Sequence, residues 1–169
     1  MIPDTLITTY LHMNDPAQFK PAYVDSPDLH ILQMNAPDLD FYRFLYRAVG
    51  DVWRWYDRND LGDAELESAL NSAEVYVLYV GASPAGYVEL DAQDRSIEVA
   101  YFGLRSAYFG RGLGKHLLSY GVQKAWDGGA QRVWLHTCNL DGPHALRNYR
   151  KRGFEIYDVR EEPMPEKYR

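Results

Sequence analysis

Hydrophobic and polar positions change their period twice along the chain. The stretch TLITTYLHM, Thr5 to Met13, is β-branched and partly alternating, which predicts a first strand. A connection punctuated by Pro16, Pro21, Pro27 and Pro37 follows. The period then lengthens: between Asp38 and Arg58, Phe41, Phe44, Leu45, Ala48, Val52 and Trp55 recur at helical spacing, with Asp38 or Asp40 placed to cap the helix. LGDAELESALNSA reads as a second, shorter helix. Alternation returns in Glu74–Gly81, Ala85–Ala92 and Arg95–Leu104, three runs separated by short turn signals, which predicts an antiparallel meander.

The last third alternates between the two periods. Leu113, Leu117, Leu118, Gly121, Val122 and Ala125 mark one face of a helix over Gly112–Trp126, and Gly128 and Gly129 stop it. Gln131–Cys138 reads as a strand. Gly142–Phe154 reads as a short helix, with Pro143 near its start and Gly153 past its end. FEIYDVR closes as a strand. The predicted order is β-α-α-β-β-β-α-β-α-β, an α/β fold with helices flanking one mixed, mostly antiparallel sheet. The strand–helix–strand step from Ile97 to Cys138 predicts parallel neighbours joined by a right-handed crossover.

Length and charge narrow the classes. A chain of 169 residues without repeats or a linker reads as one domain, residues 1–169. A formal net charge of −6 argues against a general nucleic-acid binder and mildly suits cationic small molecules. One cysteine, Cys138, allows no intrachain disulfide and points to a reducing compartment, the cytoplasm by default. The opening residues have neither the basic region nor the apolar core of a secretory leader, and no apolar run is long enough to cross a membrane.

YFGRGLGKHL, Tyr108 to Leu117, carries the candidate chemistry. It sets Gly110, Gly112 and Gly114 directly before a helix. A P-loop would need glycine where Phe109 stands and Ser or Thr where His116 stands, and the dinucleotide fingerprint G-x-G-x-x-G is absent. What remains is a strand, a glycine turn and a helix start. Bare N–H groups and the helix dipole there suit an anion, with Arg111 and Lys115 adding positive charge. The plain alternative is a tight turn with two solvated cations. His136 and Cys138 share a strand face, but two ligands without a third do not make a metal site.

The stretch IEVAYFGLRSAYFGRGLGKHLL resembles the acetyl-coenzyme A motif of the GNAT superfamily of N-acetyltransferases. In that motif, (Gln/Arg)-x-x-Gly-x-(Gly/Ala) links a strand to a helix. Phe109 stands at the Gln/Arg position, a departure for which Arg111 would compensate, and Gly112 and Gly114 match the two small positions. Downstream, Asn139, Ala145, Tyr149, Gly153 and Phe154 match the family's N…A…Y…GF ending.

The resemblance implies acetyl-coenzyme A as cosubstrate. Its pyrophosphate would lie on Phe109, Gly110, Arg111, Gly112, Leu113, Gly114 and Lys115. Its pantetheine arm would enter a gap where Ala100–Leu104 splays from Arg132–Thr137, beside Phe102, Gly103, Leu104 and Asn139. The N–H groups of Tyr101–Leu104 would form an oxyanion hole. Glu98 is the first candidate base, expected to share a strand face with Ala100 and Phe102, and Glu89 is the alternative. Tyr149 is the candidate acid. The acceptor would be a small-molecule or peptide amine, held by Tyr42, Tyr46 and Trp53 with the acidic residues from Asp57 to Glu67. Paired subunits are common in that family, so the resemblance allows a homodimer.

Overall fold

A computed structural model describes all residues from Met1 to Arg169. The chain forms β1 (Thr5–Met13), β2 (Leu29–Gln33), α1 (Leu39–Gly50), α2 (Asp63–Asn71), β3 (Ala73–Val80), β4 (Ser83–Gln93), β5 (Ser96–Leu104), α3 (Leu113–Asp127), β6 (Arg132–Cys138), α4 (Ala145–Lys151) and β7 (Glu155–Pro163). The strands make one sheet in the order β2-β3-β4-β5-β6-β1-β7. Every pair is antiparallel except β5 with β6, the pair joined by the α3 crossover. The expected α/β architecture is therefore present, with one strand more than the periodicity indicated.

That extra strand is β2, which lies in the proline-punctuated connection. It has one neighbour only, β3, so it sits at an edge where missing N–H donors nearby are tolerated. Pro27 and Pro37 bracket it, and only Leu29 and Ile31 alternate inward, a pattern too short to stand out.

Two apolar layers hold the sheet. On one face α3 buries Leu113, Leu117, Leu118, Val122 and Ala125 against Leu78, Val88, Leu104 and Leu135. On the other, α1 and α2 bury Tyr42, Leu45, Tyr46, Val49, Leu66 and Leu70 against Val75, Val77 and Tyr87. The buried stripe of α1 is not the expected one. Phe44 and Val52 are 44% and 58% exposed, whereas Tyr42 and Tyr46, expected on the acceptor side, are core. Tyrosine buries a ring provided its hydroxyl finds a partner, and the Tyr42 hydroxyl donates to Glu89 at 2.6 Å. Asp38 caps α1 by accepting from the Phe41 N–H. The helix stops at Gly50 rather than running to Arg58, because Trp55 folds back onto it: a Cβ at Gly50 would lie 2.5 Å from the indole.

Candidate active site

The sheet opens at its middle. β5 and β6 pair only through Ser96↔Arg132, Ile97↔Val133 and Glu98↔Trp134. Beyond that rung β5 stays with β4 as far as Leu104, and β6 stays with β1 as far as Cys138. The cause lies in β5. Glu89 faces Tyr101 but Leu90 faces Val99, so β5 carries one extra residue at Ala100. Such a bulge sharpens local twist and bends a strand away from its neighbour. Backbone groups on the inner sides of β5 and β6 are left without ladder partners, as the expected splay requires.

The bulge also changes which residues share a face. Val99, Phe102 and Leu104 pack on the α3 side, whereas Tyr101 packs on the α1 side. Glu98, alternating with Ile97 and Val99, lies on the α1 side as well. The expectation that Glu98 shares a face with Phe102 is therefore corrected: one inserted residue inverts the alternation.

Past Leu104 the chain turns through Ser106–Tyr108 into the glycine stretch. Gly110 and Gly112 have φ of 75° and 74°, where any side chain would be strained. Gly112 is the N-cap of α3. No side chain caps this helix end, and its first turn holds no acidic residue. The leading N–H groups thus lie beside Arg111 and Lys115, both exposed, at the positive end of the macrodipole. A Cβ on Gly114 would meet nothing nearer than 3.8 Å, so the first turn is open. Leu113 is buried in the core and offers only its backbone. The Phe109 ring is 45% exposed and turns toward Trp53.

Other expected donor contacts divide. Phe102 packs edge-on against Tyr149, with centroids 6.1 Å apart. Gly103 is pressed against α1, where a Cβ would strike Val49 at 2.6 Å. Leu104 is a core residue. The Asn139 side chain is committed to β1: Oδ1 accepts from the Ile7 N–H and Nδ2 donates to the Thr5 carbonyl, each at 3.0 Å. This clamp extends the β1–β6 ladder and leaves Asn139 only its backbone to offer a ligand.

Glu98 stands where the strands part. Its side chain is 14% exposed. One oxygen accepts from Gln93 at 3.2 Å, and the other lies 3.8 Å from Nε2 of His136 on the facing strand. Burial, and then Asp91 across the β4–β5 ladder, push this carboxyl above its ordinary value. Burial lowers His136, partly offset by Asp141 and Asp57. The pair is thus an acid that holds its proton more readily than usual beside an imidazole that gives one up.

Glu89 has a different setting. It is fully buried, and Oε1 accepts from both the Tyr42 hydroxyl and Arg58, the latter at 2.8 Å. Oε2 has no partner. Burial raises its pKa against the pull of Arg58. The Arg58 guanidinium also donates to the Tyr42 hydroxyl and lies 4.5 Å over the Tyr101 ring. Glu89 therefore anchors the segment between α1 and α2 to the sheet. The sequence reading missed Arg58 and the role of the Tyr101 ring, although a glutamate inside the apolar run GYVEL signals that some cation must reach it.

Tyr149 projects from α4 between Phe102 and Phe154 and is buried. Burial, and secondarily Asp141, push its phenol well up, so it stays protonated. Nearby, Asp141 accepts from the Thr137 hydroxyl at 2.6 Å and the Cys138 N–H at 2.9 Å, ordering the turn that follows β6. No three His, Cys, Asp or Glu residues gather as metal ligands. No helix is long and apolar enough to cross a membrane.

Known proteins resemble this chain in sequence and in fold. The profile of the acetyltransferase (GNAT) family matches residues 33–154. A mycothiol acetyltransferase from Corynebacterium efficiens is 29% identical over 117 residues, covering 65% of this chain and 39% of that protein. This chain thus spans well under half the length of that relative. In fold it is similar to a GCN5-related N-acetyltransferase from Sphaerobacter thermophilus, with 16% identity, a TM-score of 0.69 and coverage of 95% of this chain and 52% of that one. It is likewise similar to a Bacillus subtilis acetyltransferase solved in complex with CoA, with 23% identity, a TM-score of 0.61 and coverage of 77% and 78%. With the family profile spanning most of the sequence, and a split sheet leading to an uncapped glycine-rich helix start, the chain belongs to the GNAT acetyltransferase family.

Proposed function

We propose that this chain transfers an acetyl group from acetyl-coenzyme A to a primary amine by direct attack, with both substrates bound together. The observation that carries the reading is the end of β5–β6 pairing at Glu98↔Trp134, after which β5 runs on without β6 to the loop that enters the uncapped start of α3. The pyrophosphate lies on the N–H groups of the Gly110–Lys115 turn, with Arg111 and Lys115 as countercharges. The pantetheine arm lies along Phe102–Leu104, pairing with backbone groups that the split leaves free.

The amine enters from the α1 side, where Glu98, His136 and Tyr101 face the split. An alkyl ammonium, with a pKa near ~10.4, must lose a proton before it attacks. Glu98 takes that proton, directly or through water. Its raised pKa brings it closer to neutrality, where a carboxylate works better as a base. The nitrogen then bonds to the carbonyl carbon, and backbone N–H groups of Tyr101–Leu104 stabilise the oxyanion. As the C–S bond breaks, Tyr149 gives its phenolic proton to the departing sulfur, and the second proton of the attacking nitrogen leaves through water and restores the phenol. The test is release of free thiol from acetyl-coenzyme A against a panel of amines. Thiol release that depends on one amine class supports the reading. Tight coenzyme A binding without thiol release from any amine would instead mark a non-catalytic acyl-coenzyme A-binding protein.

A further inference from the structure

A left-handed residue separates two tryptophans between α1 and α2. Arg54 has φ 62° and ψ 41°, a conformation that a non-glycine residue keeps only when its surroundings enforce it. Here the Arg54 guanidinium is tied to the carbonyl of Tyr168 at 3.0 Å. The turn sends its neighbours in opposite directions. Trp55 goes inward: it covers Gly50, reaches within 3.7 Å of a Cβ built on Gly103, and packs edge-on against Tyr101. The segment is thereby fixed to the β5 side of the split.

Trp53 goes outward and crosses to the other side. Its six-membered ring lies against Gly142, where a Cβ would come within 3.2 Å. The same indole lies 6.2 Å from the Phe109 ring, tilted by 30°. Gly142 belongs to the turn after β6, and Phe109 to the loop that leads from β5 into α3. One half-buried indole thus spans both lips of the split at its open end.

We infer that Trp53, expected from the sequence on the acceptor side, is instead the third wall of the donor channel and contacts the pantetheine arm of coenzyme A. The inference rests on the donor reading above. An arm lying along Phe102–Leu104 and continuing to the start of α3 must pass between the lips that the indole spans. The arm is thin and largely apolar, and an indole supplies a rigid apolar surface at little entropic cost. Phe109 has a use in this arrangement: its ring braces the indole from the β5 side.

Indole emission reports the polarity around the ring, so the contact can be read without any acceptor. The full chain and Trp53→Phe would be titrated with coenzyme A and with adenosine 3′,5′-bisphosphate, which lacks the arm, while calorimetry measures binding. Coenzyme A should change the emission of the parent, and adenosine bisphosphate should not, even where calorimetry shows it bound. The Phe variant should lose most of that change and keep its affinity within about threefold. Trp53→Ala should bind coenzyme A about tenfold more weakly. An emission change that survives in Trp53→Phe, an equal response to adenosine bisphosphate, or unaltered affinity in a folded Trp53→Ala would each overturn the inference. A parent that gives no heat with coenzyme A would overturn the donor reading and this inference with it.

Discussion

Arg58→Met removes the cation from a carboxylate that water does not reach. The Glu89 side chain is 1% exposed and that of Arg58 15%, and they meet at 2.8 Å. Breaking a buried pair from one side leaves an uncompensated charge, which costs about 3–5 kcal/mol. In a domain of this size each kcal/mol lowers the melting temperature by roughly 2–4 °C, so the variant should melt about 6–20 °C below the parent. The pH dependence distinguishes this from a simple packing loss. Burial already holds Glu89 above its ordinary value, and losing Arg58 drives it higher. Between the unfolded and folded values the native state binds more protons than the unfolded one, so stability falls as pH rises through that window. The deficit of the variant should therefore be largest near about pH 8 and shrink toward about pH 5. Adding Glu89→Gln to Arg58→Met should recover part of the loss, because a neutral amide replaces the stranded charge. Urea unfolding across that pH range is the assay. A deficit under about 1 kcal/mol, or one that is flat with pH, would refute the view of this pair as a buried anchor.

Gly112→Val places a β-branched residue at φ 74° and covers the N–H groups of α3; it should sharply weaken acetyl-coenzyme A binding in a protein that still folds, as calorimetry will show. Glu98→Gln should lower turnover most at low pH, where the amine is mostly charged, and barely move donor affinity; an unchanged pH–rate profile would pass the role to Glu89 or water. Tyr149→Phe keeps the ring between Phe102 and Phe154, so melting should hold while turnover falls by ~10²–10⁴-fold. His116 accepts the Val24 N–H at 3.1 Å and burial lowers its pKa, so its share of stability is present above the ordinary histidine value and is lost as pH falls below it. In His116→Gln that part of the acid sensitivity should disappear from the unfolding curve.

Most of the architecture was legible because the periods are clean where packing is one-sided. The meander from β3 to β5, the α3 stripe and the glycine turn were all read from spacing, whereas the gap between β5 and β6 was expected only from the family resemblance. Three features were not. β2 is an edge strand between prolines, too short for its alternation to register. The buried face of α1 is built from tyrosines whose hydroxyls are satisfied by distant residues, and no local pattern reveals that Tyr42 will meet Glu89. The bulge at Ala100 adds one residue to a strand, which leaves composition untouched and flips every side chain beyond it. Glu98 was therefore placed on the right strand but among the wrong neighbours. Asn139 was matched to a motif, yet its amide closes a ladder with residues from the other end of the sequence.

That last clamp bears on how the protein is made. β1 is translated long before either of its ladder partners, β6 and β7; Ile7 and Asn139 are 132 residues apart. Ladders between such distant segments form late, because loop closure must precede any gain from pairing. On the ribosome, β2 to β5 have local partners as they emerge, whereas Thr5–Met13 waits as an unpaired β-branched segment. Sticky strands left open in this way invite association with other chains. The same strand that completes the β6 side of the split is thus the one whose ladder partners arrive last.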